Sequence, residues 1–155
     1  MKRRLRVYID TSVIGGCLDA EFKDVSIMLI EMFNRGNLTA VISEITWLEL
    51  RRAPDDVRSV VEGIPKTSIE NVELTEEAAT LANAYVSDGV LDKSKIADAQ
   101  HIAIATVHKV DLIVSWNFKH IVNIDKIRGF NAVNLKMGYP LMEIRSPLEV
   151  TVYEE

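Results

Sequence analysis

The sequence predicts an α/β domain with a mainly parallel central sheet. Two features carry that prediction. Short apolar runs such as Val7–Ile9 and the start of Leu112–Trp116 lack the in-and-out alternation of a half-exposed strand, so they read as strands covered on both faces. These runs also alternate along the chain with amphipathic or apolar helical segments, the order expected of a parallel sheet. At 155 residues the chain has the length of one domain with a substantial core. The whole of 1–155 reads as a single domain, with a core of about 6–135 and a C-terminal tail of 136–155.

The elements follow in order. Arg6–Ile9 is the first strand. Val25–Asn37 is a helix stopped by Gly36 and Asn37. Leu38–Ser43 is a β-rich second strand, and Ser43 is placed to cap a helix over Glu44–Arg52. Pro54 ends or resets that helix, and Asp55–Ile64 forms another short one. Ser68–Leu74 is strand-like. Thr75 opens a helix to about Ser87, with Glu76 and Glu77 at the positive end of its dipole. Lys93–Lys109 is a strong helix, and Leu112–Trp116 is a buried strand. In the tail, Ala132–Leu135 has the composition of a further strand.

Composition is 48% hydrophobic and 26% charged, as in an ordinary soluble domain. With 23 acidic and 18 basic residues the formal charge is −5, which excludes a protein that coats nucleic acid through bulk positive charge but leaves room for a local basic rim. Cys17 is the single cysteine, so no internal disulfide forms and a reducing compartment fits. The basic start Met1–Arg6 is followed by no apolar run of signal length, because Asp10 interrupts it. No segment approaches the roughly 18 uncharged residues of a membrane span. The expectation is a cytoplasmic protein with no membrane association.

Three acids stand out. Asp10 follows the first strand, at the carboxyl edge where parallel sheets form their sites. It reads equally as the cap of the next helix. Asp98 lies within a segment, Ile96–Ala105, that is apolar almost all the way round. A carboxylate there loses hydration and calls for a cation, either a metal or an arginine. Glu49 lies among Trp47, Leu48 and Leu50, and is also spaced to pair with Arg52 on the helix surface. Acids from three separate elements that converge at one end of the sheet repel unless a hard divalent cation such as Mg²⁺ or Mn²⁺ lies between them. Such sites serve phosphoryl chemistry.

The stretches Tyr8–Gly16, Ile42–Leu50, Lys95–Val107 and Val110–Ile121, in that order and spacing, resemble the PIN-domain superfamily, and within it the VapC-type toxins. The resemblance covers about Arg6 to Asn123. It implies a three-layer sandwich whose parallel sheet of four or five strands is flanked by helices. It also implies a Mg²⁺- or Mn²⁺-dependent ribonuclease acting on RNA, paired with a cognate antitoxin and forming a homodimer. Asp10, Glu49 and Asp98 match the family's first three acids and would be the metal ligands. Ser12 matches the small polar residue after the first acid and, like Ser115, is a candidate substrate contact. The family's fourth acid follows a hydroxyl residue; here Ser115 matches the hydroxyl, but Asn117 occupies the acidic position. Asparagine offers a carbonyl oxygen without charge, which weakens the case for a second metal.

The remaining candidates are weaker. The spacing of His101, His108 and His120 matches no zinc pattern. His101 reads as a core or supporting group. His120, close after Asn117, reads either as a phosphate contact or as structural. Trp116 and Phe118 suit base stacking, with at least one expected in the core. Arg51, Arg52, Lys95 and Lys119 are candidates for a basic rim, or simply solvated charges. Rival readings are a catalytically silent PIN-like protein that binds RNA or a protein partner, and a small-molecule α/β enzyme such as a phosphatase. Gly15 and Gly16 do not form a phosphate-binding loop, which counts against the latter.

Overall fold

A computed structural model describes residues 3–151, and the outermost residues of the predicted domain, 1–2 and 152–155, lie outside the described part. Among the described residues, five strands form one sheet in the order β3-β2-β1-β4-β5. They are β1 (Leu5–Ile9), β2 (Leu38–Ser43), β3 (Ile69–Val72), β4 (Leu112–Val114) and β5 (Ile144–Arg145). Every neighbouring pair is parallel. Helices α1 (Thr11–Gly16), α2 (Lys23–Asn34), α3 (Glu44–Arg51) and α4 (Asp55–Glu62) precede β3. Helices α5 (Glu76–Ser87), α6 (Ile96–Val107), α7 (Ile124–Lys136) and α8 (Pro147–Thr151) follow it.

The side-chain period of a strand divides the core in two. Tyr8 of β1 points into a cluster built with α5, α6 and α7, while Val7 and Ile9 point into one built with α1, α2, α3 and α4. The result is the expected three-layer sandwich, with Val7, Tyr8 and Ile9 of β1 fully buried between the two helical layers. The helix boundaries follow local chemistry. Gly36 adopts φ +77, and the N–H groups of Gly36 and Asn37 close back on the carbonyls of Phe33 and Met32, so α2 ends where the glycine was expected to stop it. Ser43 Oγ accepts from the Thr46 N–H and starts α3, and Thr75 Oγ1 accepts from the Ala78 N–H and starts α5.

Two expectations are corrected. Ala132–Leu135 is not a strand but the last part of α7. Asn123 caps that helix by accepting from the Lys126 N–H, and Phe130, Val133 and Asn134 fall at helical spacing, buried toward α5. The 3.6-residue period of those buried groups outweighs the strand preference of a four-residue run. Also, Lys93–Lys95 is a separate 3-10 turn, so α6 begins at Ile96 and Asp98 lies in its first turn rather than deep inside it. The last described residues, in the stretch read as a tail, contribute β5 to the sheet and α8 against α2.

Gly16, the last residue of α1, is fixed by packing. A Cβ built there would lie 2.5 Å from Ser26 Oγ and 2.9 Å from Trp116 Nε1, whereas at Gly15 it would meet open space. The Trp116 indole N–H donates to Ser26 Oγ at 2.8 Å, and its ring stacks on Phe22 with centroids 4.2 Å apart. Trp116 is therefore a core residue that locks the segment after β4 onto α1 and α2.

Candidate acidic active site

The parallel sheet gathers the candidate residues at the carboxyl ends of its strands. Asp10 follows β1, Ser115 follows β4, and Glu49 lies on α3, which leaves β2 directly. Helices between parallel strands run back across the sheet, so the first turn of α6, with Asp98, comes to this same edge.

Asp10 occupies the N-cap position of α1 but makes no side-chain cap hydrogen bond. Its carboxylate instead accepts from Ser12 Oγ at 2.6 Å on one oxygen and from Ser115 Oγ at 2.7 Å on the other. The same hydroxyl oxygens accept backbone N–H groups, Ser12 from Trp116 at 3.0 Å and Ser115 from Asn117 at 2.9 Å. Asp10 is only 5% exposed and, among the described residues, has no cationic side chain as a hydrogen-bond partner. A buried carboxylate held by two neutral hydroxyls has room at its remaining lone pairs for a cation.

Asp98 is half-buried, and its carboxyl is pushed above the usual carboxylate range. Burial is the main cause. His101 and His120 act against it, while the charges of Asp10 and Glu49 raise it further. Asp98 thus lies within electrostatic reach of Asp10 and Glu49, with the buried His101 and the half-exposed His120 beside it.

Glu49 does not pair with Arg52. Its Oε1 accepts from His101 Nε2 at 2.6 Å. Asn117 turns its Oδ1 to the backbone N–H of His120 at 2.9 Å, capping the turn that follows. His120 is half-exposed, and Phe118 beside it is 45% exposed, the one of the two candidate aromatics that faces solvent. Arg51 and Arg52 lie with Leu48 and Glu49 around a shallow concavity of about 380 Å³. Lys95 and Lys119 are exposed.

Among the described residues, no three His, Cys, Asp or Glu side chains stand close enough to enclose an ion. The donor set still suits an open oxygen site. Mg²⁺ in particular keeps several waters and takes only one or two carboxylates directly. Two features of the site went unseen in the sequence. One is that Ser12 and Ser115, both candidates from the sequence, turn their hydroxyls onto Asp10. The other is Tyr8, whose hydroxyl meets His101 Nδ1 at 2.6 Å behind the acids.

No family model matches the chain, and no curated protein matches it. Solved structures do. VapBC2 from Rickettsia felis, bound to a DNA fragment from its promoter, gives a TM-score of 0.60 at 13% identity over 92% of this chain and 98% of the matched one. A toxin–antitoxin complex from Klebsiella pneumoniae gives 0.56 at 17% identity over 77% and 93%. The Mycobacterium tuberculosis toxin VapC20, which cleaves the sarcin–ricin loop, gives 0.53 at 11% identity over 74% and 92%. At these identities the likeness is one of architecture, and with the all-parallel five-stranded sheet it establishes that this chain has a VapC-like PIN fold.

Proposed function

We propose that the chain is a metal-dependent endoribonuclease acting as the toxin of a toxin–antitoxin pair. The observation that carries this reading is electrostatic. Asp98 is held uncomfortably as an anion by burial and by the charges of Asp10 and Glu49, at the sheet edge where this fold class builds its sites. A divalent cation, Mg²⁺ or Mn²⁺, held among Asp10, Glu49 and Asp98, with one or two of them as direct ligands and the remainder reached through its water shell, would relieve that repulsion. Such an ion polarises a phosphodiester and lowers the pKa of a bound water.

The chain's own residues take supporting roles. Ser12 and Ser115 hold Asp10, and through Trp116 and Asn117 they tie it to the loop after β4. Arg51 and Arg52 beside Glu49, and Lys119 beside Phe118, offer charge for an RNA backbone. Phe118 offers a face for a base, and His120 a donor for phosphate. The toxin–antitoxin neighbours support a cognate antitoxin as partner, with an arginine of that partner reaching the acids. A homodimer and a cytoplasmic setting belong to the same reading. Among the described residues no helix is long and apolar enough to cross a membrane.

The test is incubation of the purified protein with a mixed RNA pool in Mg²⁺, Mn²⁺ or EDTA, beside p-nitrophenyl phosphate. Metal-dependent cleavage of RNA alone supports the proposal, and turnover of the small phosphate alone contradicts it.

Asn117 favours a second reading, a silent RNA-binding relative, because it brings no charge and its oxygen is engaged as a cap. Asn117→Asp separates the two. An aspartate keeps the cap and adds a carboxylate. For a nuclease, Mn²⁺ affinity should rise by about tenfold, and cleavage should need less metal. Titration of both forms by calorimetry reads the difference. No change in affinity or cleavage would place residue 117 outside the site.

A further inference from the structure

Behind Glu49 runs a buried chain of hydrogen bonds that the acids alone do not require. Ser43 Oγ lies 2.7 Å from the Tyr8 hydroxyl, that hydroxyl 2.6 Å from His101 Nδ1, and His101 Nε2 2.6 Å from Glu49 Oε1. The members come from β2, β1, α6 and α3, so the chain crosses from the central strand to the rim of the site. Tyr8 is fully buried and His101 is 3% exposed, whereas the Glu49 side chain is 42% exposed.

The two ends set the direction of every bond. An ionised carboxylate only accepts, so His101 Nε2 carries the proton donated to Glu49. In the neutral imidazole Nδ1 then accepts, and the Tyr8 O–H is its donor. A tyrosine hydroxyl carries one proton to donate, and the buried Tyr8 hydroxyl lies within 2.6 Å of that nitrogen. Ser43 Oγ already accepts the Thr46 N–H at 3.3 Å, which leaves its own proton for Tyr8. Each polar group has its partner, the condition under which a buried network rigidifies rather than weakens a core.

A glutamate on an exposed helix face has three freely rotating side-chain bonds and is otherwise drawn to water. We propose that His101, locked by Tyr8 and Ser43, is a positioning residue that fixes one oxygen of Glu49 and leaves the other facing the site it shares with Asp10 and Asp98. This rests on the reading of Glu49 as a cation ligand. Orientation of ligands by partners one layer out is a general requirement of metal sites.

Two measurements test it. In the metal-free protein, nitrogen-15 NMR of the histidines should show His101 as the Nε2–H tautomer, with a proton slow to exchange that is released in Glu49→Ala. A Nδ1–H tautomer, or an unaltered proton in Glu49→Ala, overturns the proposal without reference to any metal. In Mn²⁺ titrations, Tyr8→Phe should weaken binding by about tenfold, and His101→Leu by at least as much. His101→Gln, which retains a donor toward Glu49, should recover part of that loss. In a Glu49→Gln background Tyr8→Phe should cost nothing more, since its effect passes through Glu49. Additive losses, or unchanged affinity in Tyr8→Phe, overturn the proposal. If Tyr8→Phe does not fold by circular dichroism, the His101→Leu and His101→Gln pair decides. A wild-type protein that binds no Mn²⁺ overturns the cation reading of the site, and the NMR result alone then decides whether His101 holds Glu49.

Discussion

Asp98→Asn is expected to lower RNA cleavage by at least about 100-fold while raising the melting temperature of the metal-free protein at neutral pH. The two effects share one cause. Asp98 carries its carboxyl above the ordinary value of 3.8, first through burial and then through Asp10 and Glu49. The folded chain therefore binds that proton more tightly than the unfolded chain. The stability this contributes is fully present below pH 3.8 and is lost as pH rises through the elevated value. Ionising Asp98 therefore costs stability, and asparagine removes that cost together with the negative charge a cation needs. Melting in EDTA should show a gain for Asp98→Asn at pH 7 that shrinks as the pH falls to 3.8. Loss of cleavage together with a lower melting temperature at pH 7 would instead mean that Asp98 supports the fold.

Gly16→Ala should be far more damaging than Gly15→Ala. The new Cβ would press on Ser26 Oγ at 2.5 Å and on the Trp116 ring, both buried, and the hydrogen bond between them would have to break or shift. Overpacking of a filled core combined with a strained buried hydrogen bond costs about 2–3 kcal/mol. For a domain of this size that is a melting-temperature loss of roughly 4–12 °C. Ser26→Ala in the Gly16→Ala background removes the nearest clash and should restore part of the loss. Gly15→Ala, facing open space, should be nearly silent or mildly stabilising. Thermal unfolding of the four proteins checks the ordering, and equal losses at Gly15 and Gly16 would refute the packing account.

The two-residue β5, in the stretch read as a tail, is too short to leave a pattern, whereas β1 and β4 were legible because their apolar runs are buried on both faces, and the caps at Ser43 and Thr75 because capping is local chemistry. Ala132–Leu135 misled for the opposite reason. Four residues carry too little periodicity, and only Phe130, Val133 and Asn134 together reveal a helix face. At the site, Asp10 was legible as an acid at a strand end, but not the choice between capping and chemistry. That choice depends on Ser115, 105 residues away, whose hydroxyl takes the second carboxylate oxygen. Glu49 was open between Arg52 on its own helix and a partner elsewhere. The partner, His101, is 52 positions distant and is brought there by packing. The two glycines after the first acid look alike in the sequence. Only the approach of Ser26 and Trp116, contributed by α2 and the loop after β4, distinguishes them.

Mn²⁺ titration followed by electron paramagnetic resonance of the free ion tests most directly whether Asp10, Glu49 and Asp98 form one cation site. The wild-type protein should remove Mn²⁺ from solution, and Mg²⁺ should compete for it. Asp10→Asn, Glu49→Gln and Asp98→Asn should each weaken that binding by at least about tenfold. A wild-type protein that binds Mn²⁺ no better than the triple variant Asp10→Asn, Glu49→Gln, Asp98→Asn would contradict the claim.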